Sequence, residues 1–405
     1  MKQQHTPSKL PLGNIKVLEL GQLIAGPYCG QVLADFGAEV VKVEPPGKGD
    51  AMRQWGEADQ ESGDPLWWNV LGRNKQSLTL DLRQARGQDV LRQLAKHADV
   101  IIENFRPGTM ERWGLSYQEL SRHNPKLVMV RVTGFGQDGP YATRAGFASV
   151  CEAMGGLRYL SGYPDRPPVR VGISIGDTLA GLHAALGTMM ALHQRERSGQ
   201  GQVVDSSIFE SVLAMMENLI PEYARAGKVR ERSGSFLPKI APSNAYPARD
   251  GRDVIIGANQ DTVFRRLCEA MGQPRLANHP DYATHRARGE NQQAIDDLVA
   301  AWTQQHDASH IVDILAEAGV PAGLVYRAPD MLDDPHFQAR ESIVAVPDRH
   351  GRPLPMQNVF PRLSSTPGSV RSVGPALGEH THTVLADWLA FSADTLDALR
   401  ADNVI

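Results

Sequence analysis

Asp177 is the residue of this sequence whose type and position best fit a chemical role. It follows Gly176 and precedes a stretch of helical character that runs from Thr178 to about Arg197. Position alone favours a capping role, because Asp is a preferred residue at helix N-termini. The same position stabilises negative charge, so the carboxylate is expected to stay ionised and can serve as a nucleophile. Gly176 is expected to leave room for an electrophile to approach.

Basic side chains are frequent in the predicted loops of the first third of the chain. Phosphates prefer Arg, Lys or a helix N-terminus as partners. Asn104 and Phe105 follow a short apolar run, and ligands of α/β proteins bind beyond the ends of strands. Any one basic residue can also be ordinary solvated surface. The basic residues available in this part of the chain include Arg73, Lys75, Arg106, Arg112 and Arg144.

Strand and helix patterns alternate along the first third of the chain, which predicts βαβ units and a mostly parallel sheet. Val203 begins a further short strand, and one helix is expected from Ser207 to about Arg225. The pairs Met189-Met190 and Met215-Met216 are expected in the core. Strands are predicted at 15–20, 38–44, 77–82, 100–102, 127–132, 254–256 and 323–325, and further helices at 26–36, 84–97, 262–271, 292–305, 383–389 and 393–401.

These patterns predict an α/β fold with a large Rossmann-like domain and a smaller α/β domain. The chain turns charged and rich in Gly and Ser near Lys228, and rich in Pro beyond Met331. We therefore expect the N-terminal part of the large domain at 1–227, the small domain at 228–330, and a segment that returns to the large domain at 331–405.

Composition narrows the function classes. The 405 residues carry a net charge of −4, which argues against a nucleic-acid binder. The three cysteines are far apart, so neither a disulfide framework nor a metal site is expected, and a cytoplasmic location fits. The first ten residues lack the apolar core of a signal peptide, and no membrane span is expected.

A dinucleotide cofactor is the first alternative for such a fold. Gly21, Gly26 and Gly30 follow the first predicted strand, but their spacing is not that of GxGxxG. Without the tight glycine turn, a pyrophosphate cannot approach the helix N-terminus in the usual way. No nicotinamide or flavin is expected.

Six segments in register resemble the family III CoA-transferases, the formyl-CoA transferase-like enzymes that share their fold with α-methylacyl-CoA racemases. No single segment is decisive, but together they cover essentially the whole chain in the family's order. The segments are Leu18–Glu44, Asn74-Lys75, Glu103–Gly108, Thr133–Pro140, Gly176–Gly181 and Pro375–Thr381.

The resemblance implies a CoA-transferase with Asp177 as nucleophile, coenzyme A and acyl-CoA as substrates, and no prosthetic group. It implies an interlocked homodimer. CoA contacts are implied at the main chain of Ile24 and Ala25 and at the positions named above, with Lys75 and Arg112 the best matches. Segments after Pro242 resemble members that act on short dicarboxylates.

A carboxylate nucleophile suits such a transfer, since its attack on a thioester expels CoA thiolate and leaves an aspartyl–acyl anhydride. The thiolate then converts the anhydride into an aspartyl–CoA thioester, and the acceptor acid reverses the sequence. Each step passes through an oxyanion, so backbone N–H donors are expected near Asp177.

Three positions depart from the family pattern. Phe147 stands where racemases of this fold carry a proton-transferring His, which counts against the racemase alternative. Ala148 replaces an acid found in many transferases, and Pro45 replaces a basic residue, for which Lys48 is a possible substitute.

A non-catalytic CoA-binding protein is the remaining alternative, and the intact Gly176-Asp177 pair counts against it.

Overall fold

The computed structural model describes residues 10–405. The strands are β1 Lys16–Glu19, β2 Glu39–Glu44, β3 Lys75–Thr79, β4 Val100–Glu103, β5 Val128–Thr133, β6 Val203–Ser207, β7 Ser243–Pro247, β8 Asp253–Gly257, β9 Ala322–Leu324, β10 Ile343–Pro347 and β11 Pro353–Gln357. The helices are α1 Ala25–Asp35, α2 Leu66–Leu71, α3 Ala85–Ala95, α4 Thr109–Arg112, α5 Tyr117–Ser121, α6 Ala148–Met154, α7 Leu157–Leu160, α8 Ile175–Ser198, α9 Ile208–Leu213, α10 Leu219–Ala226, α11 Asp261–Ala270, α12 His285–Glu290, α13 Gln292–Thr303, α14 Ala308–Glu317, α15 Ala328–Asp333, α16 Pro335–Ala339, α17 Thr381–Leu389 and α18 Ala393–Ala401.

The chain divides into two compact units. The first comprises residues 10–158, 170–218 and 339–405, and the second comprises 159–169 and 219–338. The domain boundaries predicted from the sequence, after residues 227 and 330, stay a prediction, because compactness alone does not show which segments fold independently.

A six-stranded parallel sheet of order β3-β2-β1-β4-β5-β6 forms the first unit, which confirms the predicted α/β fold class. The order reverses between β1 and β4. In open sheets of this kind, ligands bind outside the carboxyl ends of the strands at that switch point. The residues just after β1 and β4 are therefore placed for ligand binding.

The apolar strand sequences are explained by burial on both faces of this sheet. Successive residues of β1 point to opposite faces: Val17 packs with Cys29 and Ala184 on the α1 and α8 side. Leu18 packs with Leu91 and Trp388 on the side of α3 and α17. The sheet is thus fixed from both sides, and the loops at its carboxyl edge rest on a rigid base.

The prediction of one helix from Ser207 to about Arg225 is wrong. The structure has α9 and α10 instead, with Glu217 between them at φ +48°. That left-handed backbone conformation cannot continue a right-handed helix. Periodicity alone did not reveal the interruption, because the apolar spacing continues through it.

The second unit contains a three-stranded antiparallel sheet of order β7-β8-β9. Helices α11, α13 and α14 cover it with a separate core that includes Phe264, Val299 and Ile311. The first unit also carries the hairpin β10–β11. Over residues 10–405, none of the helices has the length and apolar character required to cross a bilayer.

Candidate active site

Asp177 lies in the first turn of α8, two residues after the helix begins. The N-cap position belongs to Ser174, whose side chain makes no capping hydrogen bond. The capping interpretation of Asp177 is therefore wrong. Among residues 10–405, no hydrogen-bond or ion-pair partner of its carboxylate is found. A carboxylate without a structural partner is available for a ligand.

This carboxylate faces a cavity of about 320 Å³ at the carboxyl edge of the sheet. The walls come from the loop after β1, the ends of β4 and β5, the start of α6 and the residues before α8. The lining residues are Leu23, Ile24, Ala25, Trp55, Asn104, Val132, Thr133, Gly134, Gly146, Phe147, Ala148, Ser149, Arg170, Ser174, Asp177 and Ile208. The structure thus brings four sequence-predicted site residues together: Asp177, Ile24, Ala25 and Asn104.

The loop after β1 is held from three directions. Asn104 accepts a hydrogen bond from Gln22 N at 2.8 Å and donates one to Gln22 O at 2.7 Å. Asp50 Oδ1 accepts from Leu23 N at 3.0 Å, and Lys42 Nζ donates to Gly21 O. Leu23 has φ +64°, an unfavourable region for a Leu, so these bonds hold a strained backbone at the cavity wall.

Lys75 belongs to a buried cluster of charges beneath this loop. Its Nζ lies 2.8 Å from Glu19 Oε2 and donates to Pro27 O at 2.7 Å. Lys42 lies 3.3 Å from Glu19 Oε1 and 2.7 Å from Asp50 Oδ2. Lys75 is only 4% exposed, so its ammonium group already has protein partners. These contacts support a structural role for Lys75.

Arg73 is likewise buried. Its guanidinium binds Asp35 with Nη2–Oδ2 at 2.6 Å and Nε–Oδ1 at 3.0 Å, and Nη1 donates to Gln357 O at 2.6 Å. It therefore ties α1 to β11. The structure does not bring Arg73 to the cavity that contains Asp177.

Arg106, Arg112 and Arg144 are exposed, unlike Arg73 and Lys75. Arg112 donates to Thr109 Oγ1 at 2.9 Å, and Arg144 lies 3.6 Å above the ring of Tyr141. Their charged ends can reach a ligand without breaking a buried ion pair. None of the three lines the cavity that contains Asp177.

Phe105 lines a second cavity of about 260 Å³ at the same edge of the sheet. Its ring packs edge-on against Trp113 with 5.2 Å between ring centroids. Pro45 and Arg83 also border this cavity. An aromatic wall beside an exposed Arg suits a planar base, because aromatic and guanidinium groups both stack on rings.

Burial and the neighbouring Glu152 carboxylate raise the pKa of Asp177 to about 6, against an opposing effect of Arg170. The N-terminus of a helix, acting alone, would lower the pKa of a nearby carboxylate. Desolvation prevails because the group is enclosed in the cavity. At neutral pH the carboxylate is still mostly ionised, and it is more basic than an ordinary Asp.

The space beside Gly176 is filled by protein, so the expectation that it leaves room for an electrophile is wrong. A Cβ atom there would lie 3.0 Å from Glu152 Cγ and 3.2 Å from Ile208 Cγ2. A glycine is needed at this position because α6 and α9 pack closely against the start of α8.

Sequence reasoning missed Glu152, Arg170 and Ser174. Arg170 lines the cavity and donates to Ser174 Oγ at 3.1 Å. Its position seven residues before Asp177 has no helical or strand periodicity that would have revealed it. Glu152 is brought to α8 only by tertiary packing of α6.

Within residues 10–405, no three His, Cys, Asp or Glu side chains converge as metal ligands.

Known proteins that are similar to this chain in sequence or structure match it over nearly its whole length. Residues 12–381 match the sequence profile of CoA-transferase family III. The chain is 57% identical over 405 residues to succinyl-CoA–D-citramalate CoA-transferase of Chloroflexus aurantiacus, covering 100% of both chains. It is 40% identical over 403 residues to the beta subunit of succinyl-CoA–L-malate CoA-transferase of the same organism, covering 99% of each. A CAIB/BAIF family protein from Brucella suis has a similar structure, with a TM-score of 0.83, 35% identity, and coverage of 93% of this chain and 99% of that one.

Proposed function

The chain belongs to CoA-transferase family III, and we propose that it transfers CoA between short dicarboxylic acids with Asp177 as the nucleophile. That it is a CoA-transferase follows from its full-length similarity to CoA-transferases. One observation carries the finer proposal: the carboxylate of Asp177 is unpaired, partly buried and faces a cavity at the switch-point edge of the sheet.

The proposed reaction has two covalent stages. An Asp177 oxygen attacks the thioester carbonyl of the donor acyl-CoA, and the C–S bond breaks to give CoA thiolate and an aspartyl–acyl anhydride. The thiolate attacks the Asp177 carbonyl, which releases the donor as a free carboxylate and leaves an aspartyl–CoA thioester. The acceptor carboxylate then repeats these two steps in reverse order, which regenerates Asp177 and forms the new acyl-CoA.

The raised basicity of Asp177 serves this chemistry. A carboxylate with a pKa of about 6 is a stronger nucleophile than one with an ordinary pKa, and it remains ionised at neutral pH. The site is partly enclosed, so charge that develops on the carbonyl oxygen interacts strongly with nearby dipoles. The first-turn N–H groups of α8 are the nearest candidates for that role.

Arg170 supports a dicarboxylate substrate. It is the one basic side chain among the residues that line the described cavity. A short dicarboxylate keeps one free carboxylate while the other reacts, and a guanidinium pairs well with such a group. The two relatives named for succinyl-CoA with D-citramalate or L-malate make succinyl-CoA the proposed donor and a short hydroxydicarboxylate the proposed acceptor.

The nucleotide end of CoA is proposed to lie along the carboxyl edge of the sheet, beside Phe105. The phosphates would meet Arg106, Arg112 and Arg144, whose exposed side chains are free to turn toward a ligand. The contacts predicted for Arg73 and Lys75 have less support, because both side chains are buried in ion pairs.

A homodimer is proposed as the working form. Four large apolar side chains of α8 are exposed at helical spacing: Leu182, Leu186, Met189 and Met190, with Met190 62% exposed. The expected burial of Met189, Met190 and also Met215 is therefore wrong for this chain by itself, whereas Met216 is buried. Such a stripe favours a partner surface, and a second copy of the chain is the partner that the family resemblance implies.

An assay with purified protein tests the function. Succinyl-CoA is offered with a panel of mono- and dicarboxylic acids, and new acyl-CoA is separated by chromatography. We expect transfer to C4 and C5 dicarboxylates and none by Asp177→Asn. Transfer by Asp177→Asn at a near wild-type rate would contradict the assignment of the nucleophile, and transfer only to monocarboxylates would contradict the substrate class.

Sedimentation velocity tests the homodimer. We expect the wild-type protein to sediment as a dimer and Leu186→Glu to shift it toward the monomer. A wild-type protein that sediments as a monomer at micromolar concentration would contradict this part of the proposal.

A further inference from the structure

Glu152 is a buried carboxylate that faces the first turn of α8. Its side chain is 1% exposed, although the residue lies on the short helix α6 beside the cavity. Oε1 accepts a hydrogen bond from Gly176 N at 3.2 Å, and Oε2 lies 3.3 Å from Nη2 of Arg158. A buried acid that is bound to the residue before Asp177 needs an explanation, because burying a charge is costly.

The hydrogen bond to Gly176 replaces a missing helix cap. The first N–H groups of a helix have no partner within it. Ser174 occupies the N-cap without a side-chain hydrogen bond, so Glu152 supplies an acceptor from another helix. Glu152 Cγ would lie 3.0 Å from a Cβ atom at position 176, so α6 and α8 pack closely at this point. Glu152 therefore holds the turn that carries Asp177.

The charge of Glu152 also acts on Asp177. Burial and then Glu152 raise the pKa of Asp177, while Arg170 lowers it. The neighbouring Cys151 adds no charge, since burial, Asp177 and Glu152 raise the pKa of its thiol to about 11. Arg158 forms an ion pair with Glu152 at 3.3 Å, and its guanidinium stays partly exposed, so it balances the charge of Glu152 only in part. Glu152 is thus the anionic side chain that opposes ionisation of Asp177.

We propose that Glu152 is a positioning residue of the transfer reaction, which holds the first turn of α8 through Gly176 N–H and favours acylation of Asp177 by like-charge repulsion. An ionised Asp177 beside Glu152 is destabilised, whereas the anhydride and the CoA thioester of Asp177 are neutral. Forming either covalent state therefore relieves the repulsion. The inference rests on Asp177 as the acylated group.

Two variants separate the hydrogen bond from the charge. Glu152→Gln keeps an oxygen acceptor for Gly176 N–H and removes the charge, whereas Glu152→Ala removes both. For Glu152→Gln we expect a folded protein whose acid limb in the kcat/KM pH profile moves down by on the order of one pH unit. The equilibrium constant for the aspartyl–CoA adduct, measured by mass spectrometry with succinyl-CoA and succinate, should fall about tenfold, the equivalent of one pKa unit.

Glu210→Gln is the matched control. Glu210 lies on α9 and does not line the described cavity, so its neutral variant changes net charge equally and should keep the wild-type pH profile. An unchanged acid limb and adduct level in Glu152→Gln would overturn the inference, as would an equal shift in Glu210→Gln. If wild-type enzyme turns over without any adduct on Asp177, the proposed nucleophile fails instead, so the two failures are distinguishable.

Discussion

Asn104 and Gln22 are joined by two hydrogen bonds across the switch point of the sheet. Gln22 N donates to Asn104 Oδ1 at 2.8 Å, and Asn104 Nδ2 donates to Gln22 O at 2.7 Å. The residue that follows β4 therefore fixes the loop that follows β1, and both line or border the cavity with Asp177. The side-chain amide of Asn104 therefore affects the ligand site partly by holding the backbone of Gln22 in place.

Asn104→Ala should raise KM for acyl-CoA several-fold and lower the free energy of unfolding by about 1–3 kcal/mol, because two hydrogen bonds are lost at a strained loop. Asn124→Ala is a matched control. Asn124 Nδ2 also makes two bonds, to Ala95 O at 2.9 Å and Ala98 O at 2.8 Å, at a site outside the cavity. Steady-state kinetics and denaturation should show a similar loss of stability in both variants and a KM change only in Asn104→Ala. Equal KM values would contradict this role.

Arg112→Ala should weaken CoA binding by on the order of 1.5–3 kcal/mol, typical of a lost charged hydrogen bond. The side chain is exposed and bonds only to Thr109 among the described residues, so stability should not change. If the 3′-phosphate is the partner, calorimetry should show a larger effect for CoA than for dephospho-CoA. Unchanged CoA affinity would leave Arg106 and Arg144 as the next candidates.

Lys75→Ala should instead destabilise the fold. Removal of the ammonium group leaves Glu19 buried with Lys42 as its remaining cation, and breaking a buried ion pair costs about 3–5 kcal/mol. Chemical denaturation measures the loss. A variant with wild-type stability and much weaker CoA binding would contradict the structural role and restore the phosphate contact that the sequence suggested.

Arg170→Gln should separate dicarboxylate from monocarboxylate acceptors. Loss of the one basic group in the cavity should raise KM for dicarboxylate acceptors about tenfold or more, since a charged hydrogen bond contributes about 1.5–3 kcal/mol. Turnover with a monocarboxylate acceptor should change little. Equal loss for both acceptor classes would contradict a carboxylate-binding role.

Asp177→Asn should stabilise the protein at neutral pH while it abolishes transfer. The folded-state pKa of Asp177, about 6, lies above the value of 3.8 for an ordinary Asp. The ionised carboxylate therefore costs stability, and this cost develops as the pH rises from about 4 to about 6. Denaturation at pH 7.5 should show a gain on the order of 1–3 kcal/mol, and at pH 4 almost none. The same difference at both pH values would contradict the pKa assignment.

The sequence predicted β1, β2, β4 and β5 well because burial on both faces gives each of them consecutive apolar residues, but it placed the mostly polar β3, Lys75–Thr79, at 77–82. It failed at Glu217, since a left-handed residue leaves the apolar period intact. The antiparallel strand β7 and the hairpin β10–β11 were also missed, because alternate exposure and prolines weaken their patterns.

The candidate site was only partly predictable. Asp177, Ile24, Ala25 and Asn104 follow strands or begin helices, so the family's order of segments places them together. Whether a basic side chain is buried cannot be read from spacing, and Arg73 and Lys75 therefore looked like Arg112 until their partners Asp35 and Glu19 were seen. Such pairs join residues that are distant along the chain.

Trapping of the covalent intermediate tests the central claim most directly. Enzyme incubated with succinyl-CoA is treated with hydroxylamine or borohydride, digested with trypsin, and analysed by mass spectrometry. The peptide 171–195 contains Asp177 as its one acidic residue, so a hydroxamate or a reduced side chain there can be assigned without ambiguity. We predict modification of Asp177 alone and none in Asp177→Asn. A label on Cys151 or on a serine, or an active enzyme that is never modified at Asp177, would contradict the account.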